Sequence, residues 1–214
     1  MSAEIDRLIA SLSSDLQPTR PPQSVDVTAL LWLVGSVGFV IGITAGFGPI
    51  RPNALTQLAT QTRFLLETVL GVIAIASTAM MAFRTAVPGA ATSRGVLIAI
   101  ALVALWLGNY VFGLAYPALE PSMLGKRDHC VVEALLFGLP PALLALLLSR
   151  RFYPLRPVHS AFLFFLAAAM LPALYMQIAC MYAPAHILQM HILPGLLVTL
   201  GGTLCAWAWV RIRR

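Results

Sequence analysis

Residues 28–48 read TALLWLVGSVGFVIGITAGFG and contain no charged side chain. A helix needs about 20 apolar residues to cross a bilayer core of about 30 Å. This stretch therefore predicts a membrane-spanning helix. It decides the fold class because five more stretches of the same kind follow it along the chain. The predicted spans, numbered 1 to 6, are 28–48, 64–83, 95–115, 131–149, 158–178 and 188–210.

The composition of the whole chain also indicates a membrane protein. Of its 214 residues, 59% are hydrophobic and only 10% are charged, whereas a soluble domain usually carries roughly 25% charged residues. The chain lacks the polar side chains that a soluble globule needs on its surface. This excludes a cytosolic enzyme, a disordered chain and a secreted disulfide scaffold. Aliphatic runs such as 143–148 favour helices over a barrel, so we expect an all-α polytopic fold with six transmembrane helices.

The distribution of basic residues predicts the orientation of the spans. With the N-terminus inside, the cytoplasmic segments hold ten of the 14 Lys and Arg residues, and the outer loops hold four. This bias places both termini in the cytoplasm. The net charge of +6 is then a topology signal, since a nucleic-acid patch would be clustered among aromatic side chains.

These observations predict three regions and a location. Residues 1–26 form a cytoplasmic tail with a proline linker, 27–210 form the transmembrane domain, and 211–214 form a basic cytoplasmic end. The polar start of the chain lacks the apolar core of a cleaved signal peptide. We expect a multi-pass protein of a bacterial inner membrane.

The tail contains a short amphipathic helix over residues 3–16. Its apolar face consists of residues at helical spacing: Ile5, Leu8, Ile9, Leu12 and Leu16. The tail carries four Asp and Glu residues against two Arg residues, so the anionic inner leaflet of the membrane repels it. We therefore expect the apolar face to bind a groove on a partner protein.

Two of the three cysteines are predicted at the outer face of the membrane. Cys130 begins span 4 and Cys180 ends span 5, whereas Cys205 lies inside span 6 and is expected to be a small buried residue. Other candidate metal ligands at the outer level are His129, Met181, His186 and His191. Cysteine with histidine suits zinc or copper-like ions, but the spacing matches no closed zinc motif. A structural disulfide, two inert thiols, and a redox-responsive or metal-responsive pair all stay open.

Small residues and prolines mark contacts and bends within the spans. Span 1 carries glycines at four-residue spacing: Gly38, Gly42 and Gly46. This spacing lets helix backbones approach closely and predicts packing against another span of the chain or, alternatively, a homodimer seam. Prolines bend the later spans, either as shape alone or as pivots: Pro140, Pro141, Pro172 and Pro194.

Two carboxylates lie within the predicted spans. Glu67 follows Arg63 by four residues, which predicts an ion pair along one helix face, and Glu133 lies one turn inside span 4. Neither has a companion at a spacing typical of a proton relay or a hydrolytic site. The sequence contains no nucleophile elbow, phosphate loop or HExxH motif, so we expect no enzyme.

The chain resembles the NrsF-type membrane anti-sigma factors, a six-span bacterial family. The residues that carry the resemblance are the run from Ile5 to Leu12, Asp15-Leu16-Gln17-Pro18, the Val87-Pro88-Gly89 turn, Cys130 and Cys180. The resemblance covers essentially the whole chain. Its specificity comes from the order of these short pieces, from the six spans and from the fifty-residue gap between the two cysteines.

The resemblance implies that the tail holds an extracytoplasmic-function sigma factor at the lipid bilayer, without direct contact to nucleic acid. It also implies that Cys130 and Cys180 sense oxidants or heavy metals. A metal ion, held by these thiols with His129 or His186, would then be a signal rather than a resident cofactor. The alternative function is a small transporter or metal-handling protein that uses the outer Cys, His and Met residues. The acidic amphipathic tail favours the anti-sigma factor, because a transporter has no need of it.

Overall fold

The fold is taken from a computed structural model, which describes residues 2–14, 24–152 and 154–212. Within these ranges every regular element is a helix, so the all-α prediction is confirmed. Six helices are long and apolar enough to cross a membrane. These spans 1 to 6 are Val25–Phe47, Thr62–Thr85, Ser93–Gly113, Cys130–Phe152, Pro157–Ala179 and Pro184–Ile212. A tail helix, Ser2–Ser14, precedes span 1, and a short helix, Ala54–Thr60, follows it.

The span boundaries agree with the sequence prediction to within three residues, except at the start of span 6. Span 6 begins at Pro184, where a proline is tolerated because the first helical N–H has no intrahelical acceptor. Its helix widens into a π-turn over Leu188–Ile192 and then continues as an α-helix over Leu193–Ile212. The sequence analysis did not predict this π-turn, nor the short helix after span 1.

Span 5 is the centre of the bundle. It contacts spans 1, 2, 4 and 6, and span 3 packs on span 2. Inside span 5, 78% of the most apolar stretch is buried, against 22–44% in the other spans. Three consecutive small residues, Ala167, Ala168 and Ala169, are all buried there. Small side chains let neighbouring helices approach closely, which is why this helix can be surrounded.

The bundle has two ends. The cysteine end comprises loops 48–61, 114–129 and 180–183. The terminal end comprises loops 86–92 and 154–156 with residues 24 and 212. At the terminal end, the Arg84 guanidinium donates two hydrogen bonds to Asp26, of 2.8 and 2.9 Å. This ion pair joins the last turn of span 2 to the first turn of span 1.

The glycines of span 1 correct one expectation. Gly38, Gly42 and Gly46 are exposed, and a side chain added at any of them would meet no atom within 4 Å. The prediction that they pack against another span of the same chain is therefore wrong. Span 1 instead packs on spans 2, 4 and 5 through a different face, which includes Trp32 and Val40. The homodimer seam stays a prediction.

Cys205 is also placed differently from the sequence prediction. It is exposed on the outside of the bundle, not buried. Only 22% of the most apolar stretch of span 6 is buried, because span 6 packs mainly on span 5. Cys205 faces away from that contact, where apolar surface would meet lipid.

Candidate functional site

Three spans bring four sulfur and nitrogen ligands together at the cysteine end. Cys130 is the first residue of span 4, and Cys180 caps the end of span 5 in an extended conformation. His186 lies in the first turn of span 6, and His191 lies in the π-turn that follows. We refer to these four residues as the thiol–histidine cluster.

The distances within the thiol–histidine cluster are short. The two sulfur atoms lie 3.5 Å apart. The Nε2 atom of His186 lies 3.4 Å from the sulfur of Cys130 and 3.6 Å from that of Cys180. The rings of His186 and His191 meet edge to face at 5.2 Å. All four ligand atoms lie within 4.8 Å of one another, so one small ion could contact all of them.

The thiol–histidine cluster is mostly buried, and some of its polar atoms have no hydrogen-bond partner among the described residues. Cys130, Cys180 and His191 are buried, and His186 is partly exposed. The Cys130 thiol donates a hydrogen bond to the Arg127 carbonyl at 3.1 Å. Neither ring nitrogen of His191 has a hydrogen-bond partner among the described residues. An unpartnered buried polar group is costly, so these nitrogens mark a site with unused ligand capacity.

Neighbouring side chains favour a thiolate on Cys180. The adjacent Cys130 thiol lowers the pKa of Cys180 most strongly, and His186 and His191 lower it further, against the opposing effect of burial. Arg51 is buried nearby. Its guanidinium carbon lies 5.8 Å from the centroid of the Phe64 ring and 6.0 Å from that of the Tyr182 ring. A thiolate, not a thiol, is the nucleophile and the metal ligand.

A buried ion pair connects the thiol–histidine cluster to span 1. Arg127 donates to the Glu133 carboxylate at 2.7 Å, and both side chains are less than a tenth exposed. The other guanidinium nitrogens of Arg127 donate to the carbonyls of Pro49 and Thr44, each at 3.3 Å. Arg127 therefore contacts both Cys130, through its carbonyl, and the end of span 1, through its guanidinium.

A second polar network joins spans 2 and 3 to the loop after span 5, and it corrects the prediction for Glu67. Glu67 is buried and accepts hydrogen bonds from Asn109 at 2.7 Å and from the Tyr182 hydroxyl at 3.3 Å. The predicted ion pair with Arg63 does not form. Arg63 donates to the Pro117 carbonyl instead, because its side chain points to the loop after span 3.

The structure brings some of the predicted site residues together and leaves others apart. Cys130, Cys180 and His186 meet in the thiol–histidine cluster, as the hypothesis of a joint site requires. His129 is not a member, although it precedes Cys130. His191, another of the candidate ligands at the outer level, is a member. The sequence signal for His191 was its position five residues after His186. That spacing is typical of one helix face only when a π-turn intervenes.

The tail helix keeps its apolar face uncovered. Four of the five predicted partner-binding residues are more than half exposed: Ile5, Leu8, Ile9 and Leu12. Leu16, the fifth, lies outside the described residues. The last described residue of the helix, Ser14, is two positions short of the predicted end.

A large groove lies away from the thiol–histidine cluster. A groove of about 900 Å³ opens at the terminal end, between the loop after span 2 and the start of span 5. Its lining includes Val87, Leu97, Phe162, Arg156 and His159. The groove is mostly apolar, so we place the candidate chemistry at the thiol–histidine cluster.

The thiol–histidine cluster supports two kinds of chemistry. A disulfide needs the sulfur atoms to close from 3.5 Å to about 2.05 Å. This would release two electrons and two protons to an oxidant and tie span 4 to the end of span 5. A metal ion would instead replace the thiol protons and hold the sulfurs apart.

A sequence model of the NrsF family, described as negative regulator of sigma F, matches residues 12–212. The match includes all six spans and the complete thiol–histidine cluster, and it begins inside the tail helix. Comparisons with curated proteins and with solved structures found no significant match.

Proposed function

The chain belongs to the NrsF family of negative regulators of a sigma factor, and from this premise we propose a two-part mechanism. The tail sequesters an extracytoplasmic-function sigma factor at a bacterial inner membrane. The thiol–histidine cluster faces the periplasm and releases that sigma factor when oxidant or heavy metal reaches it. The observation that carries the proposal is the combination, in one chain, of an exposed apolar tail face with two cysteine sulfurs 3.5 Å apart.

The exposed face of the tail supports the sequestering role. An amphipathic helix of 13 residues is only marginally stable alone in water, so it gains stability when a groove covers its apolar face. The apolar anchors at positions 5, 8, 9 and 12 repeat at the spacing of helix-in-groove recognition. Glu4 and Asp6 add negative charge to the polar side of this helix, which disfavours docking on anionic lipid.

The Arg127 contacts support a route from the thiol–histidine cluster to the tail. Oxidation or metal binding removes the proton that Cys130 donates to the Arg127 carbonyl. Arg127 holds the carbonyls of Pro49 and Thr44 at the end of span 1. Span 1 is the helix that follows the tail in the chain, so a shift of its cysteine end moves the helix that anchors the tail.

Co-expression with an extracytoplasmic-function sigma factor from the same genome tests the proposal. Under reducing conditions we expect the sigma factor in the membrane fraction and a low signal from its promoter. Deletion of Ser2–Ser14 should release the sigma factor without preventing membrane insertion. Hydrogen peroxide or cadmium should release it from the full chain but not from a chain with both Cys130→Ser and Cys180→Ser. If the full chain neither retains the sigma factor nor lowers transcription, the proposed function is wrong.

A further inference from the structure

We propose that Cys130, Cys180, His186 and His191 form a tetrahedral site for a divalent ion of the zinc and cadmium type. The proposal rests on the sensory role given above to the same residues, but not on the tail or on the sigma factor. It specifies His186 and His191 as the histidine ligands beside the cysteine pair, and it relates the π-turn of span 6 to metal binding.

The first argument is distance. Zinc lies about 2.3 Å from thiolate sulfur and about 2.0–2.1 Å from histidine nitrogen, so tetrahedral ligand atoms lie about 3.3–3.8 Å apart. The three measured separations among Cys130, Cys180 and His186 are 3.5, 3.4 and 3.6 Å. His191 brings its ligand atom to within 4.8 Å of the others, and an inward movement of about 1 Å completes the tetrahedron.

The second argument is the unused capacity of His191. This side chain is completely buried, and both of its ring nitrogens lack a partner among the described residues. Buried polar groups are almost always hydrogen-bonded, so an exception beside two thiols and a second imidazole indicates a missing ligand. A metal ion would take one nitrogen of His191 after the inward movement described above.

The third argument is the π-turn itself. On an α-helix, residues five apart point about 140° away from each other, so His186 and His191 could not face one ion. The π-turn over Leu188–Ile192 follows an i to i+5 hydrogen-bond pattern and brings such residues toward one face. Single π-turns are rare in proteins, and those that occur are often at functional sites.

Charge balance identifies the class of ion. With both cysteines deprotonated in the bound site, two thiolates, two neutral imidazoles and a divalent ion have no net charge. A neutral assembly avoids the penalty for an isolated buried charge. A tetrahedral set of two sulfurs and two nitrogens is typical of zinc, and cadmium shares its preference for thiolate. His186, the partly exposed member, gives the ion a route in from the surface.

Metal binding to the purified full chain in lipid nanodiscs, with cysteines reduced and no sigma factor present, tests the proposal. Cobalt should bind with one ion per chain, with the visible bands of tetrahedral coordination and with thiolate-to-metal charge transfer. Zinc should displace it. His191→Ala and His186→Ala should each weaken binding by more than tenfold, since loss of a mere outer-shell partner already costs 10- to 100-fold.

Two controls separate this site from adventitious histidine binding. His129 is adjacent in sequence to Cys130, and His159 lies at the terminal end of the bundle. The variants His129→Ala and His159→Ala should both bind the metal like the unchanged chain. His191→Cys keeps a ligand in place, so cadmium should show the ultraviolet charge-transfer intensity of three thiolates instead of two. This variant keeps the test valid if His191→Ala does not fold.

The proposal is overturned if His191→Ala binds cobalt as tightly as the unchanged chain, or if His191→Cys adds no charge-transfer intensity. It is also overturned if no ion binds while sigma capture by the tail is intact. That last result would leave the proposed sequestering function standing and restrict the cysteines to thiol oxidation. Loss of sigma capture with metal binding intact would instead reject the function and keep the site.

Discussion

Replacing Leu8 and Leu12 together by Asp should strongly weaken capture of the sigma factor while leaving the membrane domain unchanged. Both side chains lie at the centre of the apolar face of the tail helix. Their exposed fractions are 59% and 62%, so most of each side chain is available to a partner. Replacement by aspartate removes this apolar surface and places two charges in the groove.

The size of the effect follows from these exposed fractions. Complete burial of a leucine side chain contributes about 1.5–3 kcal/mol. With about 60% of each side chain still to be covered, docking gains about 1–2 kcal/mol per leucine, or about 2–4 kcal/mol for the pair. Each 1.4 kcal/mol is tenfold in affinity, so the double substitution should weaken binding by about 30- to 700-fold. Desolvation of the carboxylates increases this loss.

The assay is the dissociation constant between the sigma factor and the chain in nanodiscs. A matched control, Ala10→Asp with Ser14→Asp, adds the same two charges to the opposite side of the helix. The control should bind within a few-fold of the unchanged chain, because those positions do not enter the groove. Equal affinity for the leucine variant and the unchanged chain would refute the assignment of the binding face. Equal loss in both variants would show that added charge, not the apolar face, determines binding.

The other predictions concern the site, the topology and the buried ion pair. Cys130→Ser and Cys180→Ser should each prevent induction by oxidant and metal, because a single thiol can neither form the disulfide nor complete the metal site. Cys205→Ser should respond normally because Cys205 lies on the outside of the bundle. Normal induction of both outer-cysteine variants would make the pair structural. Reporter fusions at both termini should give cytoplasmic signals, and a periplasmic signal at either end would reverse the sensing geometry. Arg127→Met should lower the unfolding free energy by about 3–5 kcal/mol, because it leaves Glu133 buried and unpaired; an unchanged thermal midpoint would contradict this.

Much of the fold could be predicted from sequence because the bilayer imposes one rule on every span. A stretch such as 28–48 must be helical in lipid, since unpaired backbone groups are costly there. Hydropathy therefore located all six spans. It could not tell which side of a span faces protein: Gly38 and Gly42 have the spacing of a packing motif, yet they lie on the outside. The lipid and the protein interior are both apolar, so composition does not distinguish a lipid-facing side of a span from a protein-facing side.

The site was only partly predictable for a similar reason. Cys130 and Cys180 could be placed together because both lie at span ends on the same side of the membrane. His191 was ambiguous because its orientation depends on a local change from α to π geometry, which leaves no pattern in hydropathy. Arg127 and Arg51 were counted only as loop charges. Their burial depends on how three loops pack, which spacing along the chain does not determine.

Span 5, the central helix of the bundle, is the fifth span to be synthesised, and this affects when the protein is complete. Translation delivers the tail helix before span 1, and it delivers spans 1, 2 and 4 before span 5, around which they pack. Three members of the thiol–histidine cluster, Cys180, His186 and His191, are made later still. Under the proposed function, a nascent chain can hold a sigma factor before it can respond to any signal. Each new molecule would begin as an unconditional repressor and become inducible only when its last third has been inserted.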